Sequence, residues 1–437
     1  MRIIRQVRIS IAIAFMVSCM FMFVPCVQSF GQTASPTPTI SPTPMPDPTP
    51  ANDDGAPKRV DYFMPDLPPG VTTYNNKLFS VRVGFAVLAD YMFVGQDSVS
   101  LSQVGPQASV FDLRAGRLMF SGQFKFKRPW TYLISGDYDE HHLRGERRFD
   151  ILDFNLTIPL WKKARITIGK QKEPFIFEMV AVAAFLPQQE RVLNQFFVSR
   201  NIGVRYFDNF LHDRMSLSMG VYNDWFQTGL KLRESGYQVS GRVTALPFES
   251  ENHRTFLHLG LGLRYDGANK DQMRFRSKPE ANAIDYYADT GTFTAKYAHE
   301  LSFELLYNRR SFSVLAEHAR AWVKSPSTQN PSFNGSYVTV SYFLTDDTRP
   351  YDKRNGSITP ISPKSRWGAV ELVGRVGHMD LDHKILKGGK LTTWYAGVNW
   401  WASQQWKVGM GYGYADLDRF NTSGRTQRFI TRLQWTY

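Results

Sequence analysis

From Phe79 to Phe93 the odd positions carry Phe79, Val81, Val83, Phe85, Val87, Ala89, Tyr91 and Phe93, while Ser80, Arg82, Gly84 and Asp90 occupy even ones. A period of two is the strand period, because successive side chains of an extended chain point to opposite faces. Fifteen residues at about 3.3 Å each span roughly 50 Å, and a tilt near 45° leaves about 35 Å along a membrane normal. Strands of soluble sandwiches are usually shorter. The pattern recurs in Leu257, Leu259, Leu261, Leu263 and Tyr265, which alternate with His258, Gly260, Gly262 and Arg264. It recurs again in Trp406, Val408, Met410, Tyr412 and Tyr414, which alternate with Lys407 and three glycines. An apolar face against acyl chains and a small or charged face around a lumen account for both, whereas a soluble sheet leaves the glycines unexplained.

The same period predicts strands over 78–94, 109–126, 130–140, 148–159, 164–171, 200–208, 213–223, 236–247, 255–266, 298–308, 311–323, 336–344, 366–382, 391–402, 405–417 and 427–437. The predicted fold class is all-β: a transmembrane antiparallel barrel of about sixteen strands, the even number that closure of a single chain requires. Sixteen is also the size that leaves a water-filled channel. Tight turns are expected at Trp161–Lys163, Asn308–Arg310 and Ala402–Gln404, and long connections at 174–199, 267–290, 325–335 and 345–365. Met179 to Phe185 is expected as a short helix folded over or into the barrel. Phe429, Leu433, Trp435 and Tyr437 share one face and give the chain an aromatic last strand.

Before residue 71 the pattern is absent. Arg2, Arg5 and Arg8 precede an apolar run from Ile9 to Val24, and small residues at Ser29 and Gly31 follow. That is the charge and length pattern of a secretory signal, expected over 1–31. Residues 32–70 are rich in proline and threonine, and prolines at every second to fourth position between Pro36 and Pro50 favour an extended polyproline spacer. The barrel domain is expected over 71–437. Both cysteines, Cys19 and Cys26, fall within the signal, which excludes a disulfide framework, a Cys-ligated metal and a cysteine nucleophile from the mature chain.

Several stretches resemble the phosphate-selective porin O and P family. Gly169-Lys170-Gln171-Lys172-Glu173-Pro174-Phe175 with Glu178, then Glu190-Arg191, are similar to a motif closing an early strand of that family. Phe275 to Glu280 and Asp289-Thr290-Gly291 resemble its central loop. Gly335-Ser336-Tyr337, Ser341 to Thr345, Arg349-Pro350-Tyr351, Gly368-Ala369, Glu371-Leu372, Asp380-Leu381, Gly388-Gly389 and Asn399-Trp400 resemble its late signature, in order. Asp346, Asp347 and Val370 depart from the pattern. The resemblance implies a homotrimeric outer-membrane channel whose lumen concentrates anions, phosphate in some members.

Charge sharpens this. The chain carries 52 Lys+Arg against 39 Asp+Glu, a formal +13, and its first 70 residues hold as many acids as bases, so the whole excess belongs to the barrel. A basic pore wall lowers the barrier to anions, and arginine adds paired donors that match phosphate oxygens. By parity the pore-lining candidates are Arg82, Arg117, Lys125, Lys127, Lys170, Lys172, Arg205, Arg242, Arg264 and Arg375, with Lys407 and Arg432 beside them. Each is alternatively a rim charge or the partner of a lumenal carboxylate such as Glu304, Glu317 or Glu371. The partners expected are small anions, phosphate or polyphosphate first among them, and outer-membrane lipid. No cofactor motif is found: Gly260-Leu261-Gly262 and Gly409-Met410-Gly411 lie inside strands, and His141-His142 with Glu146 matches no metal motif. With no basic helix or long basic run, nucleic acid is not expected. A general or differently selective porin, an adhesin and a barrel enzyme stay open as alternatives.

Overall fold

The structure is a computed structural model, and it describes residues 71–141, 146–161, 163–193, 196 and 200–437. The expected signal and spacer, and the loop of His142, lie outside the described residues. Sixteen strands form the wall: β1 (Phe79–Gln96), β2 (Val110–Phe124), β3 (Trp130–His141), β4 (Glu146–Pro159), β5 (Arg165–Gln171), β6 (Asn201–Phe210), β7 (Met215–Asn223) and β8 (Tyr237–Glu249). They continue as β9 (Thr255–Gly267), β10 (Tyr297–Arg309), β11 (Phe312–Lys324), β12 (Ser332–Phe343), β13 (Ala369–His383), β14 (Leu386–Trp401), β15 (Trp406–Arg419) and β16 (Thr422–Thr436). Every strand pairs antiparallel with its sequence neighbours, and β16 returns to β1 with Thr436 opposite Ala86 and Thr426 opposite Gln96. The fold is thus a closed barrel of the expected strand number.

The seam shows how closure is completed. Phe85 and Tyr437 exchange two backbone hydrogen bonds of 2.7 Å, and below them the segment Val71–Asn75 pairs with Ser80–Val83. The leading segment therefore extends the line of β16 past the chain terminus. Without it the edge of β1 would present unpaired N–H and C=O groups, which lipid cannot satisfy.

The faces divide as the period requires. Leu259, Leu261 and Leu263 are exposed on the outside, as are Met410 and Tyr412, while His258, Arg264 and Lys407 are buried inside. Lumenal glycines make room for what fills the barrel. A Cβ on Gly262 would stand 2.3 Å from the Phe175 carbonyl oxygen, and one on Gly413 would meet the Arg428 guanidinium at 2.5 Å. Both positions face large interior groups that a side chain would displace.

One end of the barrel carries short turns and both termini of the folded domain; the other carries most of the long connections. At the loop end, residues 97–109 include the helix α1 (Ser98–Val104), capped by Asp97, whose carboxylate accepts 2.7 Å from the Ser100 N–H. That bond holds the Asp97 carboxyl below its ordinary range. The boundaries differ most from the sequence expectation at the hairpins β13–β14 and β15–β16. β14 begins at Leu386 rather than 391, and β16 at Thr422 rather than 427. Phe420 and Asn421 both take positive φ, 56° and 62°, the requirement of a two-residue type I′ turn, with no glycine to signal it.

Three long connections fold inward: 172–200 and 268–296 from the loop end and 344–368 from the turn end. The first holds the helix α2 (Phe177–Val180) and a 3-10 turn at Ala183–Phe185, placing the expected helical stretch inside the barrel. Phe175, Phe177, Leu193 and Phe196 from it pack with Ile284 and Tyr287 from the second and with Leu306, Ala319 and Met379 of the wall. Each buried phenylalanine contributes roughly 1.5–3 kcal/mol. An apolar core thus sits within the lumen and narrows it.

The outward apolar row predicts the cost of a misplaced charge. Leu261→Arg, at mid-strand on the lipid face, is expected to destabilise the barrel by about 2–4 kcal/mol, measured as a lowered urea midpoint of the heat-modifiable folded form in lipid vesicles.

Candidate functional site: the lumenal charge lattice

Placed on the wall, the basic candidates meet carboxylates in series. Arg242 holds Glu304 through two bonds of 2.7 Å and also donates to the carbonyls of Asn355 and Gly356 at 3.2 and 2.8 Å. Glu304 is shared with His258 at 3.1 Å, and the other ring nitrogen of His258 lies 2.5 Å from the Tyr351 hydroxyl. Arg264 reaches Glu173 at 2.9 Å and both Glu300 and Asp266 at 3.1 Å. Arg375 joins Glu178 at 2.7 Å to Glu280 at 2.5 Å and stacks 3.8 Å above the Tyr337 ring. Arg432 grips Asp90 through two 2.7 Å bonds and Glu190 through a third. Arg117 pairs with Asp137 at 2.9 Å.

These pairs have a structural logic. Glu173, Glu178 and Glu190 belong to the inserted connection 172–200, and Glu280 to 268–296, so the wall arginines fasten inserted loops. Arg349 of the third insert is fastened the other way, by Glu371 of β13, with Ser341 at 3.2 Å. Glu317 of β11 accepts the N–H groups of Phe177 and Glu178 at 2.7 and 3.1 Å and the Tyr337 hydroxyl, which caps the start of α2. A buried charge needs such partners, since leaving it alone costs several kcal/mol. Lys407 donates 3.0 Å to the Leu186 carbonyl and lies over the Trp401 ring.

Three other candidates sit away from the lumen's middle. Lys170 lies in a cross-strand row with outward Phe154 and with Ile202. It continues the outward row of Ile166 and Ile168, and its ammonium reaches the Ile151 carbonyl at 2.6 Å, Gln227 at 2.9 Å and the face of Phe226. A lysine ending an apolar row turns toward the rim in this way. Lys127 is exposed in the turn between β2 and β3, and Lys125 at the same end is held by Asn75 and the Asn76 carbonyl. Arg82 is half-buried on the lumenal face.

The candidates that converge are Lys172, Arg205 and Arg242. They line a lumenal recess with Ser216, Ser218, Asn355 and Ser357. Arg205 makes no hydrogen bond or ion pair with a described residue, and its Nε and the Ser218 Oγ are both buried without a partner. Lys172 caps the Val180 and Ala181 carbonyls at 3.2 and 3.3 Å. Arg165 stands diagonal to Arg205 across β5 and β6, bonded to Asn355 at 3.0 Å and stacked on Phe207 at 3.8 Å. No carboxylate lines this recess, whose remaining walls are Pro174, Val180 and Phe207.

Parity overlooked Arg114, Arg165, Arg349 and Arg428. Arg114 pairs with Glu190 at 2.6 Å from inside a bulge, where Leu88 faces Ala115 and Ala89 faces Leu113, so the strand changes phase at that residue. Arg428 reaches Glu280 at 3.2 Å and shares its face with Arg432, which parity did find. Arg349 lies in a connection where no parity exists.

A closed sixteen-strand antiparallel barrel with short turns at one end, an aromatic outer surface and a polar interior defines an outer-membrane β-barrel of porin type. The sequence model described as phosphate-selective porin O and P matches residues 93–437, and the chain belongs to that family. Among solved structures it is similar to the outer membrane channel DcaP of Acinetobacter baumannii, at 10% identity over 84% of this chain and 100% of that one, with a TM-score of 0.53. OmpF of Salmonella typhi aligns at 8% identity over 84% and 100% with a TM-score of 0.52. An anion-selective porin from Comamonas acidovorans aligns at 11% identity over 82% and 100% with a TM-score of 0.50. At these identities the likeness concerns the fold. An uncharacterized protein of Caulobacter vibrioides is 27% identical over 195 residues, 42% of this chain and only 38% of that relative's length.

The clamp arrangement makes a prediction. Arg375→Met leaves Glu178 buried without its ion-pair partner and Glu280 with Arg428 alone, and is expected to cost the inserted loops about 3–5 kcal/mol. New protease cleavage within 172–200 and 268–296, with heat-modifiable barrel migration retained, is the expected readout. Arg117→Met, at a half-buried pair near the edge of the network, is expected to cost about 1 kcal/mol or less.

Proposed function

We propose that the chain is an outer-membrane diffusion channel that favours small anions, with phosphate or polyphosphate as the preferred solute, rather than an enzyme. It is exported by cleavage of residues 1–31, carries 32–70 as a spacer, and assembles as a homotrimer, as the family resemblance implies. The observation that carries the solute preference is Arg205 with the Ser218 hydroxyl: two buried donor groups facing a recess that no carboxylate lines. A desolvated guanidinium gives an oxyanion two parallel charge-assisted bonds, and the neighbouring Arg165 and Lys172 add positive potential without closing the site.

A general porin is the competing reading, and it too has a specific observation behind it. Arg242, Arg264, Arg375 and Arg432 are each paired with carboxylates, so these four arginines offer a passing ion little net field. The two readings part on one residue.

Reversal potential in a KCl gradient, followed by phosphate titration of the chloride current, separates them. The anion channel predicts anion selectivity, block by phosphate, and about a tenfold weaker block in Arg205→Ala, the loss of one charge-assisted contact of about 1.5 kcal/mol. Arg205→Lys is expected to keep the selectivity with weaker block. Unchanged block in Arg205→Ala, or conductance without anion preference, leaves a general porin. A folded barrel without conductance would remove the channel reading itself.

A further inference from the structure

The outer surface of β8 to β11 carries a feature that transport does not use. At the loop end of these strands Tyr237 stacks on Tyr265 at 5.1 Å, Tyr265 lies 5.4 Å from Tyr297, and His299 lies 5.6 and 5.1 Å from the last two. The register extends this platform to Trp322, which stands opposite His299, and to Lys324, opposite Tyr297. Lys296 precedes Tyr297, and its N–H donates 2.9 Å to the Lys324 carbonyl, so two lysines leave the wall side by side. Both are exposed, and neither is ion-paired to a described residue. Arg320, on the same outward face, lies 5.2 Å from the Trp322 ring and reaches Ser332 at 3.3 Å.

Depth distinguishes this patch from an ordinary solvated rim. Arg320 stands eight residues from Phe312 at the turn end, about 26 Å along the strand and about 19 Å along the normal at a tilt near 45°. An apolar band is about 25 Å tall, so Arg320 leaves the wall below the band's upper edge and Lys324 just above it. A cation placed there extends its head to the interface, where the aromatic rings also sit. Three cations that straddle the band's upper edge and an aromatic platform beside them, at the loop end of an outer-membrane barrel, match a lipid whose phosphates lie at the hydrocarbon boundary and whose headgroup is a sugar.

The geometry points to a docking site for a phosphorylated glycolipid of the outer leaflet, with Lys296, Lys324 and Arg320 on its phosphates and the Tyr265–Tyr297 face under its sugar. Charge complementarity selects this occupant over a neutral lipid: the patch offers three cations and no carboxylate paired to either lysine. The site does not depend on what passes through the pore.

Native mass spectrometry of the full-length purified protein, titrated with diphosphoryl lipid A and with its dephosphorylated counterpart, tests it. At least tenfold preference for the phosphorylated form is expected, lost in the triple variant Lys296→Ser, Lys324→Ser, Arg320→Ser. Conductance and heat-modifiable migration of that variant should match the parent, which excludes misfolding as the cause. Equal binding by the triple variant overturns the proposal, as does equal binding of the dephosphorylated glycolipid. Retention of inorganic phosphate as strong as that of the lipid overturns it too, because the lipid would then not be the source. Cross-linking of Lys324 to a second copy of the chain in glycolipid-containing vesicles would give the patch to a subunit contact instead.

Discussion

In a membrane every backbone N–H and C=O must find its partner within the protein, and this structure depends on how that demand is met at a single seam. Fifteen of the sixteen wall contacts join strands adjacent in sequence, and local hairpin geometry provides for them. The β1–β16 contact joins the two ends of the domain. There Tyr437 closes on Phe85, and Val71–Asn75 takes over where the chain runs out. The C-terminal aromatic face and the start of the folded domain near residue 71 are two parts of one device.

Closure creates a second demand. A sixteen-strand barrel encloses more space than its own side chains fill, and here three connections occupy it. Their apolar residues cluster as a soluble core would, yet they hang from a wall whose inward face is polar. The connection between the two is ionic. Glu178, Glu190 and Glu280 take lumenal arginines as partners, and Arg349 takes Glu371. The four glutamates and Arg349 stand in the stretches that resemble the family's motifs, whereas their partners Arg375 and Arg432 do not, so one side of most of these clamps lies in those stretches.

The distinction explains what was legible in the sequence. Alternation is a local property, so the strands, their number and the faces of Leu261 or Lys407 could be read directly. The inward fold of 172–200 left a helical trace at Met179 to Phe185, and the motif around Glu178 marked it. Pairing is not local. Nothing near Arg375 in sequence announces Glu178 and Glu280, which lie 197 and 95 residues away. Where the backbone leaves strict alternation, parity also fails: the bulge at Arg114 changes the phase of β2, and the glycine-free turn at Phe420-Asn421 concealed a longer hairpin. Lys170 illustrates a different limit, since the reach of a lysine lets it end an apolar row while serving the rim.

Net charge therefore has to be located before it is interpreted. A formal +13 invites the picture of an evenly basic pore, yet Arg242, Arg264, Arg375 and Arg432, all buried in the lumen, are each paired with carboxylates, because burying a charge alone is costly. Selectivity can reside only where solvent or a permeant ion supplies the compensation, which means at cations the fold has left without a carboxylate. On the inside that condition is met at Arg205. On the outside Lys296 and Lys324 are exposed and not ion-paired to a described residue. The total charge therefore specifies no preference by itself, since what an ion meets depends on which cations lack a carboxylate.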